Sequence, residues 1–388
     1  MVRRYIKNSL VRGCVQMVRR PMYILLMVIM PLICAWFLMD LMKTGSVERV
    51  PVGVVDLDDS GISRQVSRRL GAFQQVDIKR RYHNFEDARQ ALMRGDIYGF
   101  FFIPEDFEES ALGGRQPMLS YYVNYAYYAP ASMQFKGFKT ISVLGNAGVV
   151  QTMLRMVGMR DGEIMSALQP VSTHVHMLSN PFTNYNFYLS TSFVPCFFAL
   201  FVLLVTAFSI GMELKSGLCR QWLRTSGNDM WLAIVGKLLP QLLLFTVVGW
   251  TIQFMMYRVY DLPLNCPPSH MLLAMPLFVL ANQGFAVMMF CVAPNFRYGT
   301  TVCTLLGMLS FSFCGFSLPA ESIYPWVQSI SYIVPVKYYF MLSVDQAVNG
   351  LDLYYSRYYY VALIVFAVAP FLLLWRLKRE CENPVYVP

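Results

Sequence analysis

"FALFVLLVTAFSIGMELKSGLCRQWLRTSGNDMWLAIVGKLLPQLLLF", residues 198–245, joins two greasy runs through a short charged segment. No charge interrupts the first run before Glu213, and Lys237 is the one charge in the second. Between them stand Glu213, Lys215, Arg220 and Arg224, separated by good helix formers. A helix of roughly 20 apolar residues crosses a bilayer. The stretch therefore reads as two spans tied by a short, helical, charged hairpin.

The rest of the chain agrees. Of 388 residues, 56% are hydrophobic and 14% are charged, against about 25% charged in soluble domains. The apolar residues gather in six blocks: Pro21 to Met42, Phe187 to Ser209, Leu238 to Tyr257 (its helix starting near Trp231), Met271 to Ala293, Thr300 to Ala320, and Tyr358 to Trp375. Asp40 is the only charge in the first, and the other five have none. A seventh stretch, Ile323 to Val336, is too short to span and holds Pro325 and Pro335; it reads as re-entrant or interfacial. The first block follows a long basic leader, is full length and precedes no A-x-A site, which predicts a retained span rather than a cleaved signal peptide. The fold expected is membrane α-helical, with six transmembrane helices, a re-entrant external segment and an inserted α/β extracytoplasmic domain.

Basic residues in short loops mark the cytoplasmic side. The leader holds Arg3, Arg4, Lys7, Arg12, Arg19 and Arg20; the second–third connection holds Lys215, Arg220 and Arg224; the fourth–fifth connection holds Arg297; the tail holds Arg376, Lys378 and Arg379. Six crossings put all four on one side, so both termini are expected in the cytoplasm. The loops around Asp261 and Glu321 are poor in Lys and Arg. Inner-leaflet lipid accounts for the net charge of +9 without nucleic acid. Of nine cysteines, none falls in residues 43–186, so the insert is expected to fold without disulfides.

Residues 43–186 are too long for a loop and should fold. "VPVGVVDLD" reads as a buried strand. Ser60 caps a helix with Ile62, Val66, Leu70 and Phe73 at helical spacing. Val76 to Tyr82 is a strand. Asn84 caps a helix with Phe85, Ala88 and Leu92 on one face, closed by Gly95. "IYGFFFI" is a strand, Pro104 sits in the first turn of another helix, and "MLSYYVNY" ends the series. The alternation is that of a small α/β unit. A long helix is expected over Ala129 to Met159. Asp56, Asp58 and Asp59 are the one candidate cation cluster, but a hard cation needs more oxygens than three carboxylates supply, and a turn after a strand is ordinarily acidic. His174 and His176 make half a zinc site, for which an exposed or satisfied pair is the plainer reading.

Lys237 is the one clear ionisable group in the spans. Ion-coupled transporters and intramembrane enzymes need acids, bases or metal ligands there. No P-loop is present; Gly236-Lys237 is followed by Leu238. Energy for uphill movement must then enter from another chain. The hairpin reads as a lever on two spans, and Glu213, costly at the membrane edge unless paired, is expected to meet a basic residue on a neighbouring element. The plain alternative is an amphipathic loop with snorkelling Arg and Lys.

The hairpin resembles the coupling-helix signature of type-2 ABC exporter permeases, roughly G-x-E-x-x-x-G-T-x-x-x-L-x-x-[ST]-P followed by G-K-x-x-P. Here it stands as Gly211, Glu213, Gly217, Leu218, Trp222, Leu223, Thr225, Ser226, then Gly236, Lys237 and Pro240. Leu218 replaces the usual threonine and Gly227 the usual proline, which predicts a looser helix end. "VGVVDLDDSGISRQVSRRL", "ALMRGDIYGFFFIPEDFEESALGGRQP", "YYVNYAYYAPA" and "CGFSLPAESIYPWVQSISYIVPVKYY" resemble the same family, in order, over nearly the whole chain. Asn124 stands where an acidic residue is frequent.

The resemblance implies the membrane subunit of an ATP-driven exporter that is not itself an enzyme. It implies an amphipathic elbow over 1–20, with Ile6, Leu10, Cys14 and Met17 on one face. A first span over 21–42 and an extracytoplasmic domain over 43–186 would follow. A five-helix region over 187–376 would hold a coupling helix at 211–228 and a re-entrant segment at 321–340 with Pro319, Pro325 and Pro335; 377–388 would be a tail. Glu213, Lys215, Gly217, Arg220, Trp222, Leu223 and Arg224 would couple to the ATPase, supported by Gly211, Gly236, Lys237 and Pro240. No cofactor would sit on this chain; ATP and Mg would bind the nucleotide-binding partner. A second permease, identical or not, and a periplasmic adaptor with an outer-membrane channel would complete the machine in a bacterial inner membrane. The competing reading, from another class, is a non-transporting receptor or assembly factor that signals from the inserted domain.

Overall fold

In a computed structural model of the chain, the described residues are 2–41, 43, 49–72, 76–113, 115, 118–126, 131, 132, 135, 138, 139, 158, 184–316 and 322–382. They divide into two units, Met1–Lys43 with Asn184–Pro388, and Thr44–Thr183.

The second unit is the α/β insert. Its elements run β1 (Val50–Asp56), α3 (Gly61–Gly71), β2 (Val76–Tyr82), α4 (Phe85–Arg94), β3 (Gly99–Ile103), α5 (Phe107–Leu112) and β4 (Ser120–Val123). The sheet order is β2-β1-β3-β4, with β1 parallel to β2 and β3, and β4 antiparallel. Both crossovers carry a helix, as parallel pairing requires. Each strand residue turns to the face opposite its neighbour's, and two cores result. Val52, Val54, Phe101 and Leu70 fill one; Val55, Phe100, Ala88 and Ala91 fill the other.

The caps fall where the sequence puts them. Ser60 accepts from Ser63 N, Asn84 accepts from Asp87 N at 2.8 Å, and Gly95 closes α4 in the left-handed region. Pro104 differs from expectation. It lies ahead of α5, whose first residue is Phe107. Asp58 starts that helix instead, accepting from Phe107 N at 3.0 Å and Glu108 N at 3.2 Å. Asp56 accepts from Asp58 N, Asp59 N and the Ser63 hydroxyl, and Asp59 pairs with Arg64. The three carboxylates thus serve turns and a helix start, and the described residues hold no group of three or more possible metal ligands. The helix read over Ala129 to Met159 lies largely outside the described residues; Phe73, His174, His176 and Pro319 lie wholly outside them.

The first unit is helical. It opens with α1 (Val2–Arg19) and α2 (Pro21–Leu41). After the insert come α6 (Tyr185–Lys215), α7 (Cys219–Thr225), α8 (Met230–Val259), α9 (Pro268–Val292), α10 (Phe296–Phe313), α11 (Pro325–Ser331), α12 (Pro335–Ser343) and α13 (Leu353–Glu382). Among the described residues, five helices are long and apolar enough to cross a membrane: α2, α6 (over Asn186–Lys215), α8, α9 and α13.

The fifth apolar block forms α10, which has 18 residues and starts four residues earlier than the block, with Asn295 capping it. Arg297 in its first turn lowers its hydropathy, as do its Gly, Ser and Thr residues. Those residues are nonetheless satisfied internally: Thr300 donates to Phe296 O and Thr304 to Thr300 O at 2.8 Å. Small residues let helices approach closely, and α10 packs along α6.

Pro325 and Pro335 stand in the first turns of α11 and α12, where a missing N–H costs nothing. The re-entrant prolines therefore start two helices rather than break one. Helix α12 is buried nearly end to end; Tyr339 stacks on Phe278 at 4.0 Å. It carries Lys337, buried like Lys237, which donates to Ser331 Oγ at 2.8 Å and lies 3.7 Å from the Tyr332 ring centre. Sequence reading passed over this lysine because it falls just past the uncharged stretch.

Helix α13 breaks into a 3-10 turn at Ala369–Leu372, around Pro370, and resumes over Leu374–Glu382. Residues 377–382, expected in a tail, pack inward through Leu377 and Cys381.

Candidate functional site

The charged hairpin between α6 and α8 folds as α7. Gly217 and Gly227, at its two ends, have φ of 67° and 69°, a conformation that L side chains resist. The Gly227 substitution does not loosen the end. Gly227 N–H donates to Arg224 O and Asn228 N–H to Leu223 O at 2.9 Å, satisfying the last carbonyls. One face of α7, Cys219, Trp222 and Leu223, is buried; Leu218, Arg220, Gln221 and Arg224 are exposed. The Trp222 indole donates to Ala233 O on α8, and Arg220 Nε donates to Glu382 O on α13.

Beneath that face lies Glu213, 3% exposed. Its Oε1 accepts from Lys237 Nζ at 2.6 Å and from Gln16 Nε2 at 2.8 Å; its Oε2 accepts from Arg12 at 2.8 Å. Lys237 also donates to Gln16 Oε1 at 3.0 Å, and its ammonium sits 5.1 Å from the Trp222 ring centre. Burying a carboxylate or an ammonium alone is expensive; burying them mutually paired and hydrogen-bonded is tolerable. The cluster joins α1, α6, α7 and α8 at one point. Both carboxylate oxygens are taken, so Glu213 acts as a joint.

Helix α1 reaches the joint by close backbone approach. Ser9 and Gly13 are buried positions of its described side chains, and Ser9 Oγ donates to Leu232 O at 3.1 Å. A Cβ at Gly13 would sit 2.7 Å from Gly236 O, and one at Gly236 would collide with Ser9. Pro240 has no N–H, so the Gly236 carbonyl has no i+4 donor in its own helix. It faces α1 instead. The apolar stripe expected to lie on the inner surface is largely open: Ile6 and Cys14 are exposed, Leu10 and Met17 half-buried.

The predicted residues divide accordingly. Glu213, Trp222, Leu223, Gly236 and Lys237 are brought together in or beside the joint, whereas Gly211 faces Phe290 and Phe296. Pro240 acts through the Gly236 carbonyl. Lys215 points elsewhere, 5.3 Å from the Phe296 ring centre. Arg220, Arg224 and Gly217 lie on the open side. Pro325 and Pro335 belong to the separate α11–α12 pair. Sequence reading anticipated a basic partner for Glu213, which Lys237 supplies from α8, but not that Arg12 and the Gln16 amide join it from α1, 201 and 197 positions away. Their i, i+4 spacing and the shared face with Ser9 and Gly13 were the available signal.

A family model described as ABC-2 family transporter protein matches residues 21–376. No curated protein matches the chain. The matched range begins just after α1, so half of the ion cluster stands outside it. Members of that family are membrane permeases that generally pair with an ATP-binding subunit and typically lack ATPase activity themselves. With its spans, its inserted α/β unit and that match over most of its length, the chain belongs to the ABC-2 family of transporter membrane permeases.

Proposed function

We propose that this permease is the membrane half of an exporter, driven through α7 by a separate ATPase that binds ATP and Mg. The observation that carries the reading is the Glu213 joint. A push on the exposed face of α7 reaches α1, α6 and α8 together, because Glu213, Lys237, Arg12 and Gln16 form one bonded set under Trp222. Arg220 and Arg224 on the open side offer the contact. Helix α10 serves as a sixth crossing, its mean hydropathy lowered by Arg297 in its first turn and by its internally bonded Ser and Thr. That count puts the basic segments, α7 and both termini in the cytoplasm, with the insert outside a bacterial inner membrane. A second permease pairs with this one, and an adaptor with an outer-membrane channel completes the path.

The test is reconstitution with the cognate ATPase subunit. Glu213→Ala abolishes transport while the ATPase subunit still co-purifies, and the permease alone hydrolyses no ATP. Normal efflux by Glu213→Ala removes Glu213 from the mechanism.

A further inference from the structure

The inserted unit carries 14 acidic and 14 basic residues over 44–183, yet its charges are not evenly mixed. Four arginines form ion pairs within the unit: Arg64 with Asp59, Arg89 with Glu86, Arg94 with Asp96 and Arg115 with Glu109. Arg68, Arg69, Lys79, Arg80 and Arg81 are exposed and form no ion pair among the described residues. Arg68 and Arg69 stand in the last turn of α3. The other three lie on β2, an edge strand of the sheet, against which α3 packs.

Unpaired acids gather at the other end of α3. Glu105 and Asp106 are exposed and Glu108 is half-buried, and none forms an ion pair among the described residues. They flank the start of α5, which packs on α3. A Cβ on Gly61, the first residue of α3, would lie 3.6 Å from Glu108 Oε1. Helix α3 has 11 residues, so its acidic and basic ends stand roughly 16 Å apart. Its exposed positions between and at those ends are Gly61, Arg64, Gln65, Arg68 and Arg69, with no bulky apolar side chain. Whatever covers this face is selected by charge.

The arrangement is self-complementary. A partner of one sign is attracted at one end of α3 and repelled at the other. A second copy of the same surface, turned about a twofold axis, sets the arginine end of each α3 on the acidic end of the other and satisfies both groups at once. Exposed ion pairs are individually weak, so the contact needs its two halves already held close, as in a membrane-tethered pair.

We propose that the insert docks on itself: α3 of one copy lies antiparallel to α3 of an identical second copy, with Arg68 and Arg69 against the partner's Glu105 and the partner's Glu108, and Gln65 near the axis. This rests on the reading that a second permease stands beside the first, and it makes that second chain identical.

The experiment uses the full chain in lipid nanodiscs, with Cys14→Ser so that the remaining native cysteines are buried or half-buried. Mass photometry counts copies per particle, and a short bismaleimide reports contact. Gln65→Cys should link two copies across the axis. Met93→Cys, exposed on α4 at the opposite face of the sheet, should not. Arg68→Glu with Arg69→Glu should lower the Gln65→Cys yield roughly tenfold, because like charges then meet. Adding Glu105→Lys and Glu108→Lys should restore it, which a misfolded insert would not do. Paired copies without a Gln65→Cys link overturn the proposal and leave the pairing of permeases standing. So does a link that survives the arginine reversal, a yield that the added lysines fail to restore, or an equal yield from Met93→Cys. One copy per particle overturns the proposal and the pairing of identical chains with it.

Discussion

The acidic turn of the insert and the acidic joint of the helical unit use the same chemistry over different distances. Asp56, Asp58 and Asp59 accept from backbone and side-chain groups of neighbouring turns, the farthest 50 positions away at Glu108. They hold a turn and start a helix. Glu213 accepts only from side chains, two of them on a helix about 200 positions earlier. It holds separate elements in register. A carboxylate that caps a helix can be lost locally; one that ties four elements cannot.

Glu213→Ala is the sharpest break of that contrast. It strands the Lys237 ammonium in the interior, where an orphaned buried charge costs about 3–5 kcal/mol. The thermal midpoint of the purified permease should fall steeply and transport should vanish. Restoring charge balance with Glu213→Gln and Lys237→Met together should recover most of the stability, because replacing both members of a buried pair is often near neutral. Transport should stay impaired, since the link to Arg12 is weakened. Recovered efflux in that double variant would mean the ions do not carry the motion.

Gly236→Leu sharpens the comparison next. It leaves every charge in place and pushes Ser9 and α1 away from α8. Protease access to α1, or crosslinking from Gly13 to α8, should report the displacement, with transport reduced in step. An undisturbed α1 would show that the close approach is incidental.

Asp58→Ala should cost about 1 kcal/mol, as loss of a helix-starting acceptor typically does. The loss should register in hydrogen exchange of α5 and leave transport driven through α7 near normal. Smallest of all is Arg224→Ala. Exposed and remote from the cluster, it should shift stability by less than about 0.5 kcal/mol. It should instead weaken ATPase co-purification at raised salt, since an exposed cation acts through screened attraction.

Much of the fold was legible because its signals are local. Spans are read from runs of apolar residues. The insert's helices are read from Ser60, Asn84 and Gly95, and its strands from "VPVGVV" and "GFFFI", whose period and caps need only near neighbours. Pro104 misled because a proline tolerated in a first helical turn is equally at home in the linker before it. The Ile6, Leu10, Cys14 and Met17 stripe, read as the face of an elbow on the inner surface, does not reveal the opposite face of Ser9 and Gly13 that packs on α8. In lipid an apolar stripe is content to face outward, so hydrophobicity does not say which side packs.

The amino-acid sequence by itself determined that this is a multi-pass membrane chain with an α/β insert, the order of that insert's helices and strands, and that Glu213 needs a cation. Only the tertiary structure decided which cations those are, and that Ser9, Gly13 and Gly236 bring α1 against α8. The physical reason is range. Hydrophobic runs and caps act within a turn or two of the backbone. The pairing of a buried charge or amide depends on which distant helix arrives beside it.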